Sequence, residues 1–467
     1  MSNQKTGKIL LITLVASLGG FLFGFDMAVI SGVLPLVQKQ FALSASQEGW
    51  FVSSALVGCI IGVAISGELS DRLGRKKPLI LTAVLFVASA IGCALFPNLS
   101  GVIAFRVLGG IGIGIASNVV PLYISEIAPA QIRGRLVTYY QFALTLGILV
   151  AYLSNAALLN GVSKPALNPS VLSHLFNQEI WRGMLGIGVF PAVLFLLGLL
   201  LIPESPRWLI QKGKIDAAKL IIAKITGQTS AEINTDQSVS ENNSPKSSYK
   251  ELFAPSMRKA LLIGILLPLF SQFSGINAII YYGPRILGNA GVSLSNSLIS
   301  QVIFGVANMV FTLFAIWKVD SWGRRPLYLY GTAGAAISLI LTGICFYFNA
   351  TSGIGLLICV LAFLACFACS IGPLKFVVAS EIFPGAIRGR ALAISIMVMW
   401  VADTIVGQLT PILLNEIGSA GTFWFFAFFC IVAFIAVYKL LPETKGKSLE
   451  QIEKDWKTDT DKDVFFH

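Results

Sequence analysis

Apolar runs of roughly twenty residues, separated by short charged blocks, occupy this chain from end to end. A helix needs about 20 apolar residues to cross a hydrocarbon layer ~30 Å thick. About twelve runs here meet that length. They fall at 9–34, 47–67, 78–96, 101–125, 137–160 and 183–202 in the first half of the chain, and at 259–282, 297–319, 326–348, 354–379, 391–414 and 422–441 in the second. Lipid offers the backbone no hydrogen-bond partner, so runs of this length are predicted to be helices rather than open sheet. The expected class is an all-α membrane protein with twelve transmembrane helices.

The charged blocks repeat. SEIAPAQIRGR at 125–135 returns as SEIFPGAIRGR at 380–390, DRLGRKKPL at 71–79 as DSWGRRPLY at 320–328, and PESPRWL at 203–209 as PETKGKSL at 442–449. The order is kept, and each offset is roughly half the chain, so the pattern predicts two six-helix halves related by a parallel pseudo-two-fold. The expected layout is a first half at 1–202, a linker with short helices at 203–258, a second half at 259–441 and a tail at 442–467. Within the linker, residues 207–225 have amphipathic helical spacing. The polar stretch 227–248 reads as flexible, and the tail at 445–463 is helical and charged.

Composition agrees with the spans: 55% of the 467 residues are hydrophobic and 12% charged, against about a quarter charged in soluble proteins. The net charge of +11 follows from topology. With both termini cytoplasmic, most Lys and Arg lie on the inner side, and the outer loops hold only Lys39, Lys164, Arg182 and Arg285. That asymmetry obeys the positive-inside rule and requires no nucleic acid. The first apolar run continues as a full span and is too long for a cleaved signal. The seven cysteines lie inside apolar runs without metal spacing, and Cys366 and Cys369 read as small packing residues despite their C-x-x-C spacing. No nucleophile or metal constellation stands out, so neither an enzyme nor a cofactor is expected.

The blocks together resemble one family. GGFLFGFDMAVISG at 19–32, DRLGRKK, RVLGGIGIGIAS, PLYISEIAPAQIRGR, PESPRWL, QFSGIN, the Gly-Pro before SEIFP, and PETKGKSL are similar, in order, to the sugar porters of the major facilitator superfamily. The acid in the first span brings the chain nearest the family's bacterial proton-coupled pentose and hexose symporters. The resemblance implies a major facilitator fold and a monomeric carrier in a bacterial inner membrane. Its partner is a sugar or polyol, moved by alternating access, with the proton as coupling ion. A facilitative uniporter and a non-transporting sugar sensor are the alternatives.

The acid is Asp26. At a helical rise of 1.5 Å per residue it lies ~25 Å from the inner start of its span, and Arg106 lies ~8 Å from the outer start of the fourth. The two charges are therefore expected at similar depth. A lone charge in hydrocarbon costs at least ~2.5–3.5 kcal/mol on insertion scales, so a partner or a wet cavity is required. Two roles remain: a protonation switch, as the resemblance implies, or a static ion pair.

The resemblance also assigns gate charges at the inner helix ends: Asp71, Arg75, Glu126, Arg133 and Glu204 in the first half, and Asp320, Arg324, Glu381, Arg388 and Glu443 in the second. It assigns sugar ligands as well. These are Gln141 in span five, Gln272 and Asn277 in span seven with Tyr281 and Tyr282 as lids, Asn308 in span eight, Phe376 in span ten and Trp400 in span eleven. Three positions depart from the family pattern. Ser271 stands where a glutamine is common, Phe376 replaces a tryptophan, and Met399 replaces an amide. Each removes or shortens a polar group, which leaves the identity of the sugar open. Lys375 and Asp403 are two further intramembrane charges. Lys375 is read as either snorkelling or pairing with Asp403, and Asp403 as an additional proton or ligand site.

Overall fold

In a computed structural model, described for residues 3–128, 132–161, 175, 178–226, 252–254, 257–350, 354–383 and 387–443, helix dominates. Among the described residues, twelve helical spans are long and apolar enough to cross a membrane, from Gly7–Phe41 to Gly418–Leu440. The chain is therefore a multi-pass integral membrane protein. Leu194, Leu197, Leu201 and Phe190 point outward, as a lipid-facing surface requires.

The first half forms α1 (Asn3–Phe41), α2 (Ala45–Leu73), α3 (Lys76–Leu95), α4 (Leu99–Ile127), α5 (Arg133–Gly161), α6 (Ile180–Gly186) and α7 (Val189–Leu201). The predicted sixth span is thus α6 and α7 in succession. Two short helices follow, α8 (Pro206–Gln211) and α9 (Ile215–Thr226). Ser205 caps α8 by accepting from the Trp208 N–H. Leu209, Ile210 and Ala218 bury their shared face with Trp208 and Ile221, as the amphipathic spacing predicts. The flexible stretch at 227–248 and the tail at 445–463 lie outside the described residues.

The second half forms α10 (Arg258–Phe273), α11 (Ile276–Asn289), α12 (Leu294–Trp322), α13 (Arg324–Tyr347), α14 (Ile354–Cys366), α15 (Gly372–Ile382), α16 (Arg388–Glu416) and α17 (Gly418–Leu440). Two predicted spans are interrupted. The seventh breaks between α10 and α11, where Gly275 takes the left-handed conformation at φ +85°. The ring of Phe426 lies where a side chain would go. The tenth carries a π-helical turn at Phe367–Ile371, in which the Gly372 N–H donates to the Phe367 carbonyl five residues back. Pro373 follows, and its missing N–H removes the next helical donor.

By contacts the chain divides into two compact units: Met1–Val33 with Ser54–Pro245, and Leu34–Ser53 with Lys246–His467. The hairpin at 34–53 thus groups with the second half of the chain. Within the first unit, Gly58 and Gly62 of α2 meet Gly110 and Gly114 of α4 so closely that any β-carbon would strike the facing backbone, the small-residue packing typical of helices in lipid. Within the second, α10 packs on α15, α16 and α17, and α11 packs on α16. That arrangement positions the polar residues of the site.

Candidate functional site

In the first unit, α1 and α4 set Asp26 and Arg106 on the wall of one cavity, lined also by Phe25, Phe86, Ser89 and Cys93. The similar depth expected from sequence thus agrees with their meeting at one cavity. Arg106 is buried, and its charge acts on the Asp26 carboxylate. The cavity has room for about one water molecule. A buried carboxylate with space for a water beside it has a partner with which to exchange a proton.

The second unit holds a denser polar cluster. Asp403 is 1% exposed on α16. Asn277 Nδ2 donates to its Oδ1 at 2.7 Å, and the Tyr281 hydroxyl donates to the carboxylate at 3.1 Å. The same Asn277 amide donates to Gln272 Oε1 at 2.8 Å. Lys375 on α15 is buried too and donates to Ser271 Oγ at 2.9 Å. Its charge is felt at Asp403. Snorkelling is therefore corrected: the π-turn and Pro373 start α15 inside the bundle, and the ammonium binds an interior hydroxyl. Tyr282, the second expected lid, donates to the Gly407 carbonyl at 2.6 Å and is fully buried. α11 is thus fastened to α16 at three side chains.

Of the other expected ligands, Trp400 is fully buried on α16. Asn308 on α12 is half-buried, and among the described residues no recorded hydrogen bond joins it to the cluster. Gln141 is half-buried on α5 of the first unit. The side chain of Phe376 lies outside the described residues.

The repeated charges build two matching nodes, each internal to one unit. In the first, Arg75 makes a bidentate pair with Glu126, at 2.8 Å from Nε and 2.7 Å from a terminal nitrogen, and both side chains are buried. Asp71 is exposed and lies 3.7 Å from the same guanidinium. Glu204 caps α3, accepting from the backbone N–H of Arg75 at 2.8 Å and of Lys76 at 3.1 Å. In the second node Arg324 pairs with Glu381 at 3.0 Å, and Glu443 accepts the N–H groups of Arg324 and Arg325 at 3.0 and 3.1 Å. Gly74 and Gly323, both at positive φ, let each carboxylate approach where a β-carbon would collide. The side chains of Arg133, Asp320 and Arg388 lie outside the described residues.

Two features were not anticipated. Glu48 and Arg285 form an ion pair within the second unit, and Arg285 also donates to Asn415. Sequence alone shows Arg285 only as an outer-loop charge; a lone acid at the start of the second span is the available signal. Ser205, unremarkable in sequence, donates to Glu126.

A bundle of twelve spans with charges and amides buried at helix breaks is the build of a membrane carrier. The family model for sugar (and other) transporters matches residues 12–456, and the chain belongs to that family. It is 42% identical to the arabinose-proton symporter of Bacillus subtilis over 97% of this chain and 96% of the other. It is 38% identical to the D-xylose-proton symporter of Escherichia coli over 99% and 98%. Among solved structures, the partially occluded inward-open form of the xylose transporter XylE from E. coli matches with a TM-score of 0.81 and 38% identity, covering 94% of this chain and 99% of that one.

Proposed function

We propose that this chain is a sugar-proton symporter working by alternating access, with Asp26 as the proton acceptor and Arg106 as its counter-charge. The observation that carries the reading is the cavity lined by both residues, roomy enough for one water. Protonation neutralises Asp26, releases Arg106 from its attraction and shifts the balance between conformations, which needs only a few kcal/mol of bias. Proton-symporting relatives along nearly the full chain support the coupling.

The cargo is a pentose, hexose or polyol. With both Asn277 N–H groups engaged, Asn277 Oδ1 supplies an amide acceptor and Gln272 Nε2 an amide donor to sugar hydroxyls; Trp400 and Phe376 supply aromatic faces, and Gln141 and Asn308 are further hydroxyl ligands. The protein acts as a monomer in a bacterial plasma membrane with both termini cytoplasmic. The proton is its coupling ion, and no cofactor is required.

The test is uptake into de-energised proteoliposomes with an imposed inward proton gradient, screened over pentoses, hexoses and polyols, starting with arabinose and xylose. A symporter concentrates its sugar inside; an uncoupled carrier only equilibrates it. Asp26→Asn is expected to abolish accumulation while sparing sugar exchange. Gradient-driven accumulation by that variant refutes the role of Asp26.

A further inference from the structure

The Asp26 cavity does not account for the second buried carboxylate. Asp403 sits inside the other unit, 1% exposed, with Lys375 at 8% in the same cluster. Burying a charge in a bundle of this kind costs at least ~2.5–3.5 kcal/mol on insertion scales. A neutral amide at position 403 could bond the same neighbours without that cost.

We propose that Asp403 is a second proton-binding site of this carrier, with Asn277 and Tyr281 as the groups that respond to its charge. The inference deepens the symport reading and rests on it only for the identity of the coupling ion. The argument is one of hydrogen-bond capacity. Ionised, Asp403 accepts from the Asn277 amide and from the Tyr281 hydroxyl, as observed. Protonated, it gains one O–H donor, and whichever neighbour faces that oxygen can reverse to accept it. A phenol oxygen accepts as well as donates, and a flipped amide presents its oxygen. The cluster is thus satisfied in either protonation state, which a carboxylate fixed by backbone N–H groups or by a bidentate arginine is not. The buried Glu126, held by both arms of Arg75, is the contrasting case.

The charges around the site balance. The titratable groups facing Asp403 are Lys375 on α15 and Tyr281 on α11. From α10 come the neutral Ser271 and Gln272. α17 carries one charged residue, Lys439, in its last turn. α16 itself has Arg388 and Arg390 at its start and Glu416 at its end. One proton therefore takes the Asp403–Lys375 pair from net zero to net +1, and no other group in the cluster needs to move a charge. The consequence reaches the expected sugar ligands directly. Asn277 also donates to Gln272, so flipping its amide would put two carbonyl oxygens face to face, and Gln272 must turn too. A proton on Oδ1, the oxygen that Asn277 faces, thus changes which polar groups the Gln272–Asn277 pair offers to a hydroxyl.

Infrared difference spectroscopy of the purified full-length protein, titrated from alkaline to acid pH without sugar, tests this directly. A protonated carboxyl has a carbonyl stretch separate from that of a carboxylate, and comparison with Asn variants isolates each acid. Asp403→Asn is expected to remove one titrating carboxyl component and keep the Asp26 component; Asp26→Asn does the converse. A spectrum of Asp403→Asn identical to wild type at every pH overturns the inference, whatever Asp26 does. Failure of Asp26→Asn to change the spectrum counts against the proposed coupling residue and leaves this site standing. Should Asp403→Asn not fold, Asp403→Glu keeps the charge and is expected to displace the band. A band left in place by that variant also overturns the proposal.

Discussion

Glu443 accepts the backbone N–H of Arg324 at 3.0 Å, as Glu204 accepts that of Arg75 at 2.8 Å in the other unit. A duplicated sequence has therefore kept a duplicated helix cap: a carboxylate from after the sixth or twelfth span closes the N-terminus of the third or ninth. The cap satisfies two otherwise orphaned donors and places negative charge at the positive end of the helix dipole. Replacing Glu204 by Ala should lower stability by about 1 kcal/mol, within the ~0.5–2 kcal/mol range of lost caps. Glu443→Ala should behave alike, and detergent-solubilised thermal melts measure both.

The ion pairs of the first unit differ sharply in burial, and their energetics should follow. Arg75 and Glu126 are 5% and 4% exposed, so truncating either strands a buried charge, at a cost of about 3–5 kcal/mol. Arg75→Lys keeps the charge but loses the planar fork, and it should fall between wild type and Arg75→Ala. By contrast Arg72 and Glu68 are 76% and 68% exposed. Replacing Glu68 by Gln should shift the melting temperature little, because exposed pairs contribute roughly 0–1 kcal/mol. Equal effects at the two sites would contradict this ranking.

The spans and the repeat were readable because length and hydropathy act locally: every one of the twelve apolar runs became helix. Asp26 and Arg106 were readable because rise per residue converts sequence position into depth. What sequence counting missed depends on side-chain direction. Counting placed Lys375 near the surface in depth, but nothing in the sequence showed that it would reach Ser271. Nor does a positive residue beside an outer loop reveal that Glu48 lies across from it, since Arg285 and Glu48 are 237 residues apart. Glu204 and Glu443, gate charges by resemblance, also bond helix N-termini, a role visible only once Gly74 and Gly323 are seen to admit them.

Gly275 makes a prediction about the break in span seven. Its φ of +85° is strained for any other residue, and the Phe426 ring fills the space a β-carbon needs. Left-handed backbone costs about 1–2 kcal/mol for an alanine, and overpacking adds about 1–3 kcal/mol. Gly275→Ala should therefore lower thermal stability by a few kcal/mol. It should also slow sugar exchange, because α11 carries Asn277, Tyr281 and Tyr282. A variant with unchanged melting would show that the break tolerates a side chain.

Asn277 is the node on which the second cluster turns, and a double-mutant cycle exposes its two bonds. Its amide donates at once to Gln272 Oε1 and Asp403 Oδ1. Asn277→Ala leaves an amide oxygen and a carboxylate each short of a donor, a penalty of roughly 1–3 kcal/mol per stranded group. Apparent sugar affinity should fall with it, by about tenfold or more if a hydroxyl contact is lost as well. Asp403→Asn removes the charge that most needs the donor and supplies an amide able to pair with Tyr281. The double variant should thus be less destabilised than the sum of the single ones, with a coupling of about 0.5–3 kcal/mol. Strict additivity in thermal melts would mean that the Asn277–Asp403 bond contributes nothing, and that Asn277 acts through Gln272 alone.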